Sequence, residues 1–172
     1  MMNTSVIYAM ILFILVVLFW LFMSYTGFKR MRNSSAEAFR AVKMCYEARR
    51  KTAESMVRLM KNFIDGEDDI LQKVTDSVEA AGRAEAPAEI IYAETGVMEA
   101  IGKMTAAAEK HDDFAASKRY RKLKEELELD DRNIATTIRI YNTLAKTYNE
   151  KVHGIMTKFA AKLCGFKEIP MI

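Results

Sequence analysis

Residues 134–159 read IATTIRIYNTLAKTYNEKVHGIMTKF, and this stretch carries the strongest structural signal in the 172-residue chain. Apolar and aromatic side chains recur in it at alternating steps of four and three: Ile134, Ile138, Tyr141, Ala145, Tyr148, Val152, Ile155 and Phe159. Heptad spacing of this kind forms one seam of a helix that packs against partner helices at a shallow angle. The pattern predicts a single long helix from about residue 117 to about residue 163.

The rest of the chain also shows only helical periodicity. It contains two prolines and seven glycines, and no alternating apolar run that indicates strands. A first helix is predicted to reach about Ile64, where Asp65-Gly66 ends it, because glycine tolerates the left-handed conformation common at helix ends. Two shorter helices are predicted over about 67–83 and 88–110.

The N-terminal region holds a segment long and apolar enough to cross a bilayer. From Val6 to Met23 no side chain is charged or carries an amide. These residues span roughly 27 Å as a helix, close to the thickness of the hydrocarbon core. Trp20 and Tyr25 lie near the end of the segment, where amphipathic rings prefer the membrane interface. The predicted fold class is therefore all-α, with an N-terminal transmembrane helix (residues 6–25) that continues into a long antiparallel up-down bundle of about four helices.

A cleaved signal peptide is the alternative interpretation of this segment. Signal peptides begin with a basic region and end with small residues before the cleavage site. Residues 1–5 contain no Lys or Arg, and residues 19–23 read FWLFM. The sequence therefore favours a retained anchor.

Charge predicts the orientation of this anchor. Lys29, Arg30 and Arg32 follow the span, whereas residues 1–5 carry no basic side chain. Because basic residues stay on the cytosolic side, residues 1–5 are expected outside the cytoplasm and residues 26–165 inside it. The expected location is the cell (inner, or cytoplasmic) membrane or an internal membrane, crossed once. The net charge of +3 is too small to indicate nucleic-acid binding.

A last helix that runs back toward the span brings further basic residues to the bilayer. Lys158 and Lys162 are then expected to join the basic residues that follow the span, and each contributes on the order of 1 kcal/mol beside an anionic leaflet. Phe166, at the start of a tail of residues 166–172, is expected at the membrane interface. A tail packed on the bundle, with a solvated basic face, is the alternative that the sequence leaves open.

Two Tyr-Asn pairs lie seven residues apart in the predicted seam, at Tyr141-Asn142 and Tyr148-Asn149. This spacing places both pairs on one helix face, and buried tyrosine hydroxyls need hydrogen-bond partners. A buried asparagine can fix the register of packed helices. The pairs are interpreted either as internal register-setting residues or as a docking stripe for another protein or another copy.

Arg49 falls on the predicted inward face of the first helix, and Asp130 and Asp131 interrupt the apolar seam of the last helix. A buried charge without a partner strongly destabilises a fold. The three residues are therefore predicted to form an internal ion pair, and a polar groove that receives a partner is the alternative.

The residue patterns that carry known catalytic or metal chemistry are missing or incomplete. The sequence has no G-x-x-x-x-G-K, H-E-x-x-H or G-x-S-x-G motif. Glu150 and His153 form a Glu-x-x-His, from which helical bundles build paired-metal sites. The other histidine, His111, does not form a second copy of this motif, because Ala108 occupies the position where the motif has glutamate. We expect no enzymatic activity and no cofactor, with a metal-carrying bundle as a further alternative.

Residues 134–166, with their two Tyr-Asn pairs and a closing Gly-Phe, resemble the LemA family. Residues 37–77, which contain the basic pair Arg49-Arg50, are similar to a second block of that family, and residues 108–127 to a third. The resemblance implies a long antiparallel helical bundle that is anchored in a membrane and has no established enzymatic activity.

The chain departs from the usual pattern of that family at three places. Ala53-Glu54-Ser55 stands where relatives usually have Ile-Pro-Asn, and His111-Asp112 where they have a Tyr-Pro turn. Thr26-Gly27 follows Tyr25, where relatives commonly have Tyr-Asn. Because proline bends helices, its loss predicts a straighter first helix.

Together these features predict a single-pass, membrane-anchored scaffold or interaction protein on the cytosolic face. Its expected partners are the lipid bilayer and other membrane proteins or copies of itself, and not nucleic acid. A self-assembling homo-oligomeric coat that lines or shapes a membrane is the alternative, because rods anchored at one end can pack side by side.

Overall fold

The computed structural model describes residues 4–64 and 66–172, and every regular element within them is helical. The helices are α1 (Thr4–Lys61), α2 (Asp68–Arg83), α3 (Pro87–Ala108), α4 (Asp112–Ala115), α5 (Lys118–His153) and α6 (Lys158–Leu163). The predicted all-α class is confirmed. Residues 1–3 of the expected outer N-terminus and Asp65 of the expected stop signal lie outside the described residues.

Helix α1 runs without a break from the apolar N-terminal segment to Lys61. Side chains from Val6 to Trp20 are exposed, whereas Phe28, Val42 and Met56 are fully buried. The helix continues through residues 53–55, where no proline interrupts its backbone hydrogen bonds. Beyond its end, Gly66 has a φ of 89°, a backbone conformation that favours glycine.

The chain divides into two compact units. The first unit holds the residues up to Phe39 together with residues 140–171, and the second unit holds residues 40–139. Both α1 and α5 contribute residues to each unit.

The core of the first unit lies between α1, the end of α5, and α6. Phe28 meets Tyr148 edge to face with 6.3 Å between ring centroids, and Phe39 lies 5.4 Å from Tyr141. Because residue numbers rise along α1 while they fall along α5, the two helices run antiparallel within this unit.

The core of the second unit is formed by apolar side chains from α1 to α5. α2 packs directly against α3. Phe114 of the short α4 lies 5.2 Å from Tyr120 at the start of α5. The largest fully buried side chains of this core are Met56, Met60, Leu71, Val74, Val97, Met104 and Tyr120.

The seam predicted in the last helix ends earlier than expected. Helix α5 stops at His153, and the part of the prediction that continued the seam through Ile155 and Phe159 is wrong, since both side chains are exposed. Glycine at position 154 has low helix propensity. The Thr157 hydroxyl donates to the carbonyl of Lys151, which satisfies one of the free acceptors at the end of α5.

The chain resumes as α6, which ends in a Schellman turn. The amide of Phe166 donates to the carbonyl of Ala161 at 2.9 Å, and the amide of Gly165 donates to the carbonyl of Lys162 at 3.3 Å. Gly165 has a φ of 71°, which only glycine adopts without steric cost. This residue therefore sets the direction in which the tail of residues 166–172 leaves α6.

Replacing Gly165 with alanine should destabilise the chain by about 1 kcal/mol, because an L-residue in the left-handed conformation crowds the following carbonyl. The same replacement at Gly96 should stabilise it by about 0.5–1 kcal/mol, since glycine weakens a helix interior. Gly96 lies in the middle of α3, and nothing lies within 4 Å of a Cβ added there. Urea unfolding in mild detergent measures both free energies, and effects of the same sign would contradict the role given to Gly165.

Candidate functional site

The C-terminal tail has no regular secondary structure, and Asn149 binds its main chain. The side-chain amide of Asn149 donates to the carbonyl of Ile169 at 2.8 Å, and the amide of Ile169 donates to the Asn149 carbonyl oxygen at 2.9 Å. One side chain thus pairs with both backbone groups of one residue, as a neighbouring strand does in a sheet. Such pairing requires an extended segment and is indifferent to its side chains.

Two tyrosines extend this recognition along the tail. The Tyr148 hydroxyl donates to the carbonyl of Lys167 at 2.9 Å, and the Tyr141 hydroxyl donates to the carbonyl of Pro170 at 2.6 Å. We call Tyr141, Tyr148 and Asn149 the tail clamp. Burial raises the pKa of both tyrosines, against a lowering effect of Arg32 at Tyr148, so both hydroxyls keep their protons at neutral pH.

Aromatic and apolar contacts also hold the tail. Phe166 stacks on Phe28 with 5.1 Å between ring centroids and lies 5.7 Å from Tyr25. Ile169 packs against the same core cluster. The structure shows the tail packed on the helices, with Phe166 half-buried.

The remaining residue of the two Tyr-Asn pairs, Asn142, is half-buried on α5 beside Tyr141. His153, from the incomplete metal motif, lies against the carboxylate of Glu168 in the tail. Among residues 4–64 and 66–172 no group of three or more side chains is arranged to hold a metal ion. Both members of this His-Glu pair are exposed.

A buried ionic cluster occupies the second unit. Arg49 is 4% exposed and forms ion pairs with Glu94 at 2.8 Å and with Asp131 at 3.1 Å. It also donates to the main-chain carbonyl of Glu94 at 3.0 Å. Glu94 is 2% exposed and also contacts Arg50. The structure therefore brings Arg49 and Asp131 together, but the buried partner of Arg49 is Glu94.

Two further residues complete the surroundings of this cluster. Asp130 accepts a hydrogen bond from the Thr52 hydroxyl at 2.8 Å rather than pairing with Arg49. The Arg49 guanidinium lies 5.5 Å from the centre of the Tyr46 ring, within the range of a cation–π contact. Burial raises the pKa of Tyr46, and Glu94 raises it further while Arg49 opposes the effect.

Glu94 is the functional-site candidate that sequence reasoning missed. It lies four residues after Ile90 and three before Val97, so it interrupts an apolar stripe of α3 at helical spacing. A single acidic residue on an apolar stripe was the available signal, because such a residue must find a cation when the stripe is buried.

The predicted membrane-facing residues all lie in the first unit. Among the described residues one helix, α1, is long and apolar enough to cross a membrane, which suggests membrane anchoring. Phe166 is half-buried. The other predicted interface residues are exposed; they are Trp20, Tyr25, Lys29, Arg30, Arg32, Lys158 and Lys162.

A family model described as the LemA family matches residues 38–172. The chain belongs to the LemA family. This confirms the resemblance found in the sequence, and the match covers most of the chain. A search of curated proteins finds no match.

The LemA-matched residues contain both polar arrangements described above. The tail clamp, the tail, Arg49, Glu94 and Asp131 all lie within residues 38–172, whereas the apolar segment of α1 lies before them. In this LemA-family chain, the conspicuous Tyr-Asn pattern is thus tied to binding of the C-terminal tail.

Replacing Asn149 with alanine should free the tail, because it removes both hydrogen bonds to Ile169. Each such bond contributes about 1 kcal/mol, so exchange of the Ile169 amide with solvent should accelerate by at least about tenfold. Hydrogen exchange measures this rate, and Asn62→Ala, which alters an exposed asparagine beyond α1, is the matched control. Unchanged protection of Ile169 would show that the clamp does not hold the tail.

Replacing Glu94 with glutamine should destabilise the fold by about 3 kcal/mol, because it leaves the Arg49 charge without its buried partner. The control is Glu99→Gln, which breaks an exposed pair with Lys103 on the same helix and should leave stability nearly unchanged. Chemical unfolding of both variants gives the comparison. Similar decreases in the free energy of unfolding of the two variants would mean that the buried cluster stabilises the fold no more than an exposed ion pair does.

Proposed function

We propose that this LemA-family chain is a single-pass, membrane-anchored helical scaffold without catalytic activity. The observation that carries the proposal is the exposure of every side chain from Val6 to Trp20 on a helix that continues into the folded body. Its partners are the lipid bilayer and other membrane proteins or further copies of the chain.

The energetics of exposure support a lipid environment for this stretch. Leaving one large apolar side chain in water forgoes about 1.5–3 kcal/mol relative to burial. The exposed stretch includes ten or more such residues in succession, among them Leu12, Phe13 and Phe19. A helix satisfies its own backbone hydrogen bonds, so lipid can cover this surface without further partners.

Charge supports the orientation. Lys29, Arg30 and Arg32 follow the apolar stretch, and the first unit adds Lys158 and Lys162 from α6. Because basic residues are retained on the cytosolic side, the N-terminus faces out and the bulk of the chain lies in the cytosol. The membrane is the cell (inner) membrane or an internal one.

The buried polar side chains make internal contacts, which supports a scaffold rather than an enzyme. The tail clamp is occupied by the chain's own main chain, and Glu94 is occupied by Arg49 and Arg50. Membership of the LemA family also suggests a helical, non-enzymatic protein. The exposed helix faces are then the surfaces available to partners.

Replacing Leu12, Leu15 and Leu18 together with arginine should move the chain out of the alkali-resistant membrane fraction. Each arginine near the centre of a spanning helix costs about 2.5–3.5 kcal/mol. The matched control places three arginines at exposed apolar positions outside the segment, Met44, Tyr92 and Met98.

The control variant should remain in the membrane fraction, and the leucine variant should be lost from it. Retention of both variants would contradict the proposed anchor. Protease added outside intact cells tests orientation with the unmodified chain: the C-terminal half should survive, and its digestion would reverse the assigned sides.

A further inference from the structure

The region after α5 exposes large apolar side chains and buries small ones. Ile155, Met156, Phe159 and Leu163 are between 74% and 92% exposed. The inward positions of α6 are instead two alanines, Ala160 and Ala161. Water-soluble helices normally show the reverse arrangement, and adjacent exposed apolar residues mark a contact surface.

This surface is held beside the end of the apolar stretch of α1. Ala160 and Ala161 pack into one cluster with Phe28, and Leu21 packs against the same cluster. Leu21 and Phe28 are separated by roughly 10 Å along the helix axis. The headgroup layer on each side of a bilayer is about 5–7 Å thick. When residues 6–23 span the hydrocarbon core, α6 is therefore held at the level of the interface.

The charges of the same region suit an anionic lipid surface. Lys158 and Lys162 lie one turn apart on α6 and are exposed, with Lys167 following in the tail. The exposed acidic residues of this region are Glu150 and Glu168, and the latter is engaged by His153. Amphipathic helices that lie in a membrane interface combine basic residues with bulky apolar ones in this way.

We propose that residues 155–163, a turn followed by the short helix α6, form a second membrane contact that lies in the headgroup region with Ile155, Met156, Phe159 and Leu163 in lipid. This inference rests on the proposed anchor and specifies what the first unit does beside it. The position of α6 is fixed at both ends: α5 precedes it in the chain, and the tail clamp binds the tail that follows it.

A lipid surface is favoured over a second copy of the chain because the patch is continuous with the segment that lipid already covers. Leu21 belongs both to the apolar stretch and to the neighbours of the α6 cluster. A protein partner at this position has to compete with lipid for the same side chains.

Tryptophan quenching tests the proposal directly, since the chain contains a single tryptophan. The variant Trp20→Phe/Phe159→Trp carries its only tryptophan on α6, and the substituted Phe159 is exposed. The control, Trp20→Phe/Tyr92→Trp, carries it at an exposed position of α3. The full chains are reconstituted in vesicles of zwitterionic and anionic phospholipids, with bromine on the upper part of the acyl chains.

Tryptophan at position 159 should lose about half of its emission to the brominated lipid, because interfacial helices bury their apolar face roughly 5–10 Å deep. Tryptophan at position 92 should be unaffected. The unmodified chain, which reports on Trp20, separates the two levels of the proposal.

Quenching of Trp20 without quenching at position 159 would overturn the second contact and leave the anchor standing. Absence of quenching at positions 20 and 159 would overturn the anchor and the second contact. Shielding of position 159 from aqueous acrylamide without quenching by bromine would show that protein, not lipid, covers the patch.

Discussion

The apolar stretch of α1 and the part of α1 that holds α5, α6 and the tail are consecutive turns of one helix. No loop separates them, so whatever environment surrounds residues 6–23 determines the surroundings of the first unit. Lipid around that stretch places Phe28 and everything packed on it within about two helical turns of the hydrocarbon core. The distance of the basic residues, the exposed face of α6 and the clamped tail from the bilayer therefore depends on this one constraint.

The two units satisfy their polar groups by different means. In the first unit, neutral donors and acceptors of Tyr148 and Asn149 bind main-chain groups of the tail. In the second unit, Arg49 and Glu94 are buried as a charged pair, and removing either one takes from the other its buried partner of opposite charge. In both arrangements, polar side chains that resemble a binding site in the sequence make internal contacts instead.

The regular parts of this fold were predictable because they repeat. The heptad spacing up to Val152 and the apolar stretch of α1 each follow one period over many residues. The break after His153 depends on one glycine and one threonine hydroxyl, which interrupt a period that the sequence continues to Phe159. The Tyr-Asn pairs could be singled out, but their partner could not, because it is the main chain of an irregular tail and carries no pattern of its own.

Spin-label accessibility along α1 in reconstituted bilayers tests the membrane position of this helix most directly. Single labels at Leu12, Leu18, Phe22 and Met44, in a background with both native cysteines replaced by serine, compare collision with oxygen against collision with a water-soluble nickel complex. Labels at the first three positions should favour oxygen, with depth decreasing steadily toward Phe22, and the label at Met44 should favour nickel. A label at Leu12 as open to nickel as the one at Met44 would contradict the lipid position of α1, and with it the placement of the first unit at the membrane.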